Sequence, residues 1–160
     1  MSNKIIVALD SFHGAWRAVE YVAKIFGQTP GVEVTLLHVL ADPPAVFWDD
    51  GHILQENERQ ARQKIVAQWQ LAQEKEWQIL ANRARERMLA AGLQGKAVTS
   101  KFKPKMSDVA EEIIEEATAG GYDTIVMGRR GLGTVKSLLI GSVAQKVMQY
   151  ARGCAVIVAE

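Results

Sequence analysis

Five short apolar runs, each separated from the next by a stretch of helical character, constrain this chain more than any other feature. Residues 4–9 (KIIVAL), 32–40 (VEVTLLHVL), 123–127 (DTIVM) and 154–159 (CAVIVA) are nearly continuous hydrophobic segments. A strand that is apolar at almost every position is buried on both faces, the habit of a parallel sheet covered by helices. Residues 96–102 (KAVTSKF) alternate instead, which places that strand nearer an edge. Strand–helix–strand repetition with right-handed crossovers predicts an α/β fold with a doubly wound parallel sheet. A length of 160 residues suits a single domain over 1–160 and buries about two-thirds of the unfolded surface without a metal or disulfide staple.

The helices have readable ends. Ser11 is placed to cap a helix carrying Ala15, Ala18, Val19 and Val22 that stops near Gly27. Ser107 is placed to cap another, with Asp108, Glu111 and Glu112 favouring its N-terminal dipole and Gly120-Gly121 closing it. Ser137 or Gly141 opens a last helix that closes near Gly153. Residues 53–91 contain neither Gly nor Pro, and Ala61, Ile65, Trp69, Ala72, Leu80, Ala84 and Met88 form an approximate stripe. One helix of that length would extend ~55–60 Å, longer than such a domain is wide, so a kink, an irregular start or a projecting end is expected. Residues 42–51 (DPPAVFWDDG), with Phe47 and Trp48, form a loop before it.

Charge and cysteine usage narrow the function classes. The formal net charge is +1, which argues against a general nucleic-acid binder, since that class carries a basic excess. The lone cysteine, Cys154, excludes an intramolecular disulfide and reads as a small core residue. The first apolar run is too short for a signal-peptide core and nothing is long enough to span a bilayer, so the expected setting is cytoplasmic.

The chemistry concentrates late in the chain. Between Asp123 and Glu160 there is no acidic residue, whereas Arg129, Arg130, Lys136, Lys146 and Arg152 are basic. The same stretch holds Gly128, Gly131, Gly133 and then Gly141-Ser142, beginning where an apolar strand ends. Backbone amides at a strand–loop–helix junction hold phosphates with help from the helix dipole, and glycine lets the anion approach them. Two familiar phosphate loops do not fit. Gly133 is followed by Thr134 where a Walker loop needs Lys, and Lys136 stands where the dinucleotide fingerprint needs its third glycine.

The spacing Gly128, two residues, Gly131, nine residues, Gly141-Ser142 resembles the nucleotide-binding signature of the universal stress protein family. A first strand ending in Asp10-Ser11, a second closing as Leu37-His38-Val39, and the strands ending in Met127-Gly128 and in 154–158 agree with it along essentially the whole chain. The resemblance implies a Rossmann-like five-stranded sheet in the order 3-2-1-4-5, helices on both faces, and a ligand crevice where strands 1 and 4 part. It implies that Ala8, Leu9 and Val39 line an adenine pocket, that Asp10 meets the ribose or reaches the phosphates through a metal, and that Met127 and Gly128 sit beside the ribose. Gly131, Gly141, Ser142 and Val143 would hold phosphates through amides and the Ser hydroxyl, with Arg129 and Arg130 as flanking cations. Ala8 departs from the proline of many members. The implied ligand is ATP, or ADP or AMP, with Mg or Mn at the phosphates. The implied assembly is a twofold dimer through strand 154–159, with Val156 and Val158 near the axis.

Each of these residues also has a plainer reading. The glycines serve as turn glycines in any α/β fold, Asp10 as a helix cap, and Arg129-Arg130 as a solvated pair. His13, His38 and His52 have no metal-ligand spacing, and His38 reads as a satisfied core histidine. Trp69 and Trp77 are expected against the sheet or a partner, and the charges at 83–87 on a solvated helix face. No nucleophile–base pair or general acid–base couple is visible, so a nucleotide-binding stress-response module is the first reading. A slow ATPase or autophosphorylating switch, and a dimeric interaction protein with weak nucleotide binding, stand as alternatives.

Overall fold

The computed structural model describes residues 3–9, 14–44, 55–129 and 140–160. Five strands, β1 (Asn3–Ala8), β2 (Val32–Leu40), β3 (Val98–Pro104), β4 (Thr124–Gly128) and β5 (Ala155–Ala159), form one parallel sheet in the order β3-β2-β1-β4-β5. The expected architecture and strand order are therefore observed. The alternating third run is an edge strand, and its first two expected residues, Lys96 and Ala97, belong instead to a short 3-10 turn, Gly95–Ala97.

Four helices are described: α1 (Gly14–Phe26), α2 (Glu56–Ala90), α3 (Val109–Gly120) and α4 (Ser142–Tyr150). The two faces of the sheet carry separate cores. Ile5, Val7, Val34 and Leu36 pack with Val19 and Val22 of α1 and with Trp77, Ala84 and Met88 of α2. Ile6, Leu37, Val39, Ile125 and Met127 point the other way, against Ile113 and Ala117 of α3 and Val147 of α4. The period-two switch of side chains along β1 and β2 distributes neighbouring residues between these layers.

Several helix ends differ from the sequence reading. Asp108, not Ser107, caps α3: its carboxylate accepts from the amides of Ala110 and Glu111. Ser107 instead donates its own amide and hydroxyl to Glu112. Gly121 ends α3 as expected, in the left-handed conformation with φ 62°. Helix α4 begins after Gly141 and stops at Tyr150, short of Gly153. Ser11, Ser137 and the 45–51 part of the expected loop lie outside the described residues.

Helix α2 is assigned as one helix of 35 residues, and of the three alternatives read from its length the projecting end is the one its burial pattern fits. Its first buried residue is Trp77, so the first 21 positions of the helix, 56–76, lie off the core. The stripe drawn from Ala61 to Met88 is not one face. At 100° per residue, Ile65 and Ala72 lie more than a right angle from the Trp77–Ala81–Ala84–Met88 face, and Ile65 is exposed. The charges at 83–87 are pinned rather than simply solvated. Arg83 lies over the Trp16 ring, Arg85 donates to the carbonyls of Gly95 and Val98, and Arg87 grips Glu20 with two 2.8 Å bonds.

Candidate functional site

The parallel sheet reverses its winding between β1 and β4, and both strands end at the same edge. Their last residues open onto a shallow depression on the α3–α4 side, lined by Ala8, Leu9, Leu37, Val39, Val109, Ile113, Met127, Gly128 and Val143. Ligands of open α/β sheets settle at this topological position. The enclosed space is about 20 Å³, room for one water, so the depression is an apolar floor rather than a chamber.

Six residues expected from the sequence therefore meet here: Ala8, Leu9, Val39, Met127, Gly128 and Val143. Gly141 and Ser142 stand beside Val143 at the start of α4, and Arg129 directly follows Gly128. Asp10, Arg130 and Gly131 lie outside the described residues. Leu37, Val109 and Ile113 were not anticipated. Leu37 was readable as the i−2 neighbour of Val39 on one face of β2, and Val109 with Ile113 as an i, i+4 pair on α3.

The start of α4 carries the polar character of the site. Gly141 has no side chain to cap the helix, and its φ of −60° and ψ of 151° set the chain for helix entry. Its own amide donates to the Arg129 carbonyl at 2.9 Å, and its carbonyl accepts from Gln145. The amides of Ser142, Val143 and Ala144 have no acceptor among the described residues. Three such donors and the positive end of the helix dipole are what an anion would be drawn to, and Gly141 adds no side-chain acceptor to them.

The basic bias of the sequence is partly cancelled in space. Lys146 bridges Asp108 at 3.2 Å and Glu111 at 3.3 Å across the α3–α4 contact. That carboxylate pair holds the Lys146 ammonium above its ordinary pKa, the bond to Asp108 contributing most. Burial works to raise the Asp108 pKa, but Lys146 and the capped amides of Ala110 and Glu111 together hold it low. Arg129 pairs with Glu160, and Arg152 donates to the carbonyls of Gln149 and Ala151. Lys136 lies outside the described residues. No group of three or more His, Cys, Asp or Glu that could hold a metal occurs among the described residues. Half-buried Cys154 has its thiol pKa pushed up by burial, which disfavours the reactive thiolate.

A doubly wound, Rossmann-like α/β sheet with a depression between the ends of β1 and β4 is the class that the fold defines. The chain belongs to the universal stress protein family, whose family model matches residues 1–159. It is 24% identical to universal stress protein YxiE of Bacillus subtilis (strain 168), with 99% of each chain covered. Among solved structures it resembles universal stress protein UspA from Lactobacillus plantarum, at a TM-score of 0.71 and 18% identity over 99% of this chain and 97% of that one. A universal stress protein from Archaeoglobus fulgidus in complex with dAMP matches at a TM-score of 0.61 and 17% identity, covering 100% and 98%. A family member from Arabidopsis thaliana with AMP bound matches at 0.54 and 20%, covering 99% and 92%. No helix among the described residues is long and apolar enough to cross a membrane.

Proposed function

We propose that residues 1–160 form one nucleotide-binding unit that holds ATP, or its ADP and AMP forms, and acts as a regulatory module rather than as an efficient enzyme. The observation that carries this reading is the meeting of an apolar floor with three amides that have no acceptor among the described residues, at the sheet's switch point. A purine is flat and apolar on its faces, and its phosphates are anions; the two halves of the site match the two halves of that ligand. The relatives solved with dAMP and AMP support the same ligand class.

In this reading Ala8, Leu9 and Val39 flank the base, Met127 and Gly128 border the ribose, and Ser142 and Val143 face the phosphates. Asp10, Arg130 and Gly131 complete the set by the family resemblance, with Arg129, paired with Glu160, beside them. Among the described residues there is no metal cage, so a Mg or Mn ion would be held by the phosphates, and the family resemblance implies Asp10 as a carboxylate that reaches it. The ion would neutralise phosphate charge. No carboxylate among the described lining residues is placed to activate water.

The sheet edge supplies the proposed assembly. Among the described strands β5 pairs only with β4, and its residues 155–159 are uncharged and largely β-branched. An open, uncharged edge is suited to pairing with a second copy, which places Val156 and Val158 near a twofold axis. Light scattering across micromolar concentrations checks this; a monomer mass throughout would refute it. For the ligand, purified protein is denatured and the released small molecules are chromatographed. Co-purified adenine nucleotide, or binding after soaking with Mg-ATP, is the expected result, and no nucleotide in either case would refute the reading.

A further inference from the structure

The junction of β1 and β2 ends in an unusual way. In a parallel ladder, the N–H and C=O of one residue point to the same neighbouring strand, and successive residues alternate. Leu9 donates its amide to Leu37 O at 2.8 Å, so odd-numbered residues of β2 face β1 here, while Leu40 O accepts from Lys105 on the β3 side. Continuing the ladder by one step would place the Val39 amide on Leu9 O.

A side chain occupies that acceptor instead. His38 Nδ1 lies 2.7 Å from Leu9 O. A carbonyl can only accept, so Nδ1 carries the proton. The ring is held in this pose between Trp77, at 5.4 Å and 23°, and Phe102, at 5.7 Å and 18°. The Val39 amide, facing β1 past its end, is left without an acceptor among the described residues, and Val39 lines the depression on the opposite face of the sheet.

We infer that His38 is a positioning residue for the bound base: by capping Leu9 O it keeps the Val39 N–H open toward the crevice, ready for an acceptor nitrogen of a planar heteroaromatic ring. This rests on the nucleotide reading for its ligand, but the open amide is a property of the protein alone. Without the imidazole, Val39 N–H and Leu9 O are free to bond each other, and the ligand loses its donor.

Two variants separate the donor from the ring. His38→Phe keeps an aromatic between Trp77 and Phe102 and removes the donor. His38→Asn places an amide nitrogen as many bonds from Cβ as Nδ1 and removes the ring. Amide hydrogen exchange by NMR on the ligand-free protein is expected to show Val39 exchanging at least about a hundredfold faster than Leu37 in the wild type. In His38→Phe the Val39 amide becomes protected by about tenfold or more, and AMP binds about tenfold more weakly. His38→Asn stays near the wild type in both, with a lower Tm. Val39 protected like Leu37 in the wild type overturns the inference, as does a His38→Phe protein unchanged in exchange or in AMP affinity. If the wild type binds no AMP, the nucleotide reading fails, and the exchange data alone still decide the role of His38.

Discussion

Lys103 Nζ lies 2.8 Å from Glu112 Oε2, and this pairing closes the β3–α3 junction over a carboxylate that is only 2% exposed. Glu112 also accepts from the amides of Met106 and Ser107 at 3.0 and 3.2 Å. Lys103 contributes most to holding the Glu112 pKa below its ordinary 4.5, against the opposing effect of burial. Glu112 in turn holds the Lys103 pKa above 10.5. The clamp fixes the entry of α3, and hence Val109 and Ile113 in the floor of the site.

A carboxylate with a depressed folded-state pKa stabilises the fold above its unfolded value and loses that contribution as pH falls through the folded one. Stability is therefore expected to decline as pH drops below about 4.5 and further toward the lowered folded pKa. The raised Lys103 pKa acts at the other end, where its contribution disappears only above 10.5. Lys103→Met leaves the buried carboxylate without its cation and should cost about 3 kcal/mol at neutral pH. Urea unfolding at pH 7 and pH 4 checks both: the variant's deficit should shrink at the lower pH.

The ends of α1 and α2 meet through glycines. A Cβ on Gly27 would lie 2.6 Å from Ala91 O and 2.8 Å from Ala91 Cβ, and one on Gly92, whose φ is +117°, would lie 2.7 Å from Gly27 O. Backbone cannot retreat there without parting the helices. Gly27→Ala should therefore destabilise by about 1–3 kcal/mol, whereas Gly153→Asn, at φ +73° with open space around it, should cost well under about 1 kcal/mol. Thermal unfolding of the two proteins measures the contrast.

The unburied first part of α2 should be its least protected part. No residue in 56–76 is fully buried, though Val66 and Trp69 are partly so, and the capping box of Gln55 and Glu58 and local propensity support this part. Hydrogen exchange is expected to be much faster over 56–72 than over 78–90, where the helix packs on the sheet. Glu58→Ala should speed exchange in the first turns and leave the far end unchanged.

Much of this was legible in the sequence because β1, β2 and β4 are largely buried on both faces, and continuous hydrophobicity survives any register; β5 is as apolar but only half-buried at the sheet edge. Strand order followed from the family resemblance, and the site from glycines at a strand end. What escaped depended on contacts distant in sequence. Ser107 and Asp108 are equally good caps on paper, and only the position of Glu112 diverts Ser107 from the role. The apolar stripe of α2 was assembled at helical spacing, yet Ile65 and Ala72 drift off the face that Trp77 defines over several turns. The basic run from Arg129 to Arg152 looked unopposed because Asp108, Glu111 and Glu160 approach it only in the folded chain.

The central claim is that uncovered amides at the start of α4 hold the phosphates of an adenine nucleotide, and Gly141→Asp tests it most directly. With φ −60° and ψ 151°, the backbone at position 141 is in a region open to L residues, and Asp there is a strong helix cap. The variant should keep or gain about 1 kcal/mol of stability while its carboxylate both occupies the amides and repels phosphate. Isothermal titration with Mg-ATP should show saturable binding to the wild type and at least about tenfold weaker binding to Gly141→Asp, at an undiminished Tm. Equal affinity in the two proteins, or no binding of ATP, ADP or AMP by the wild type, would contradict the account.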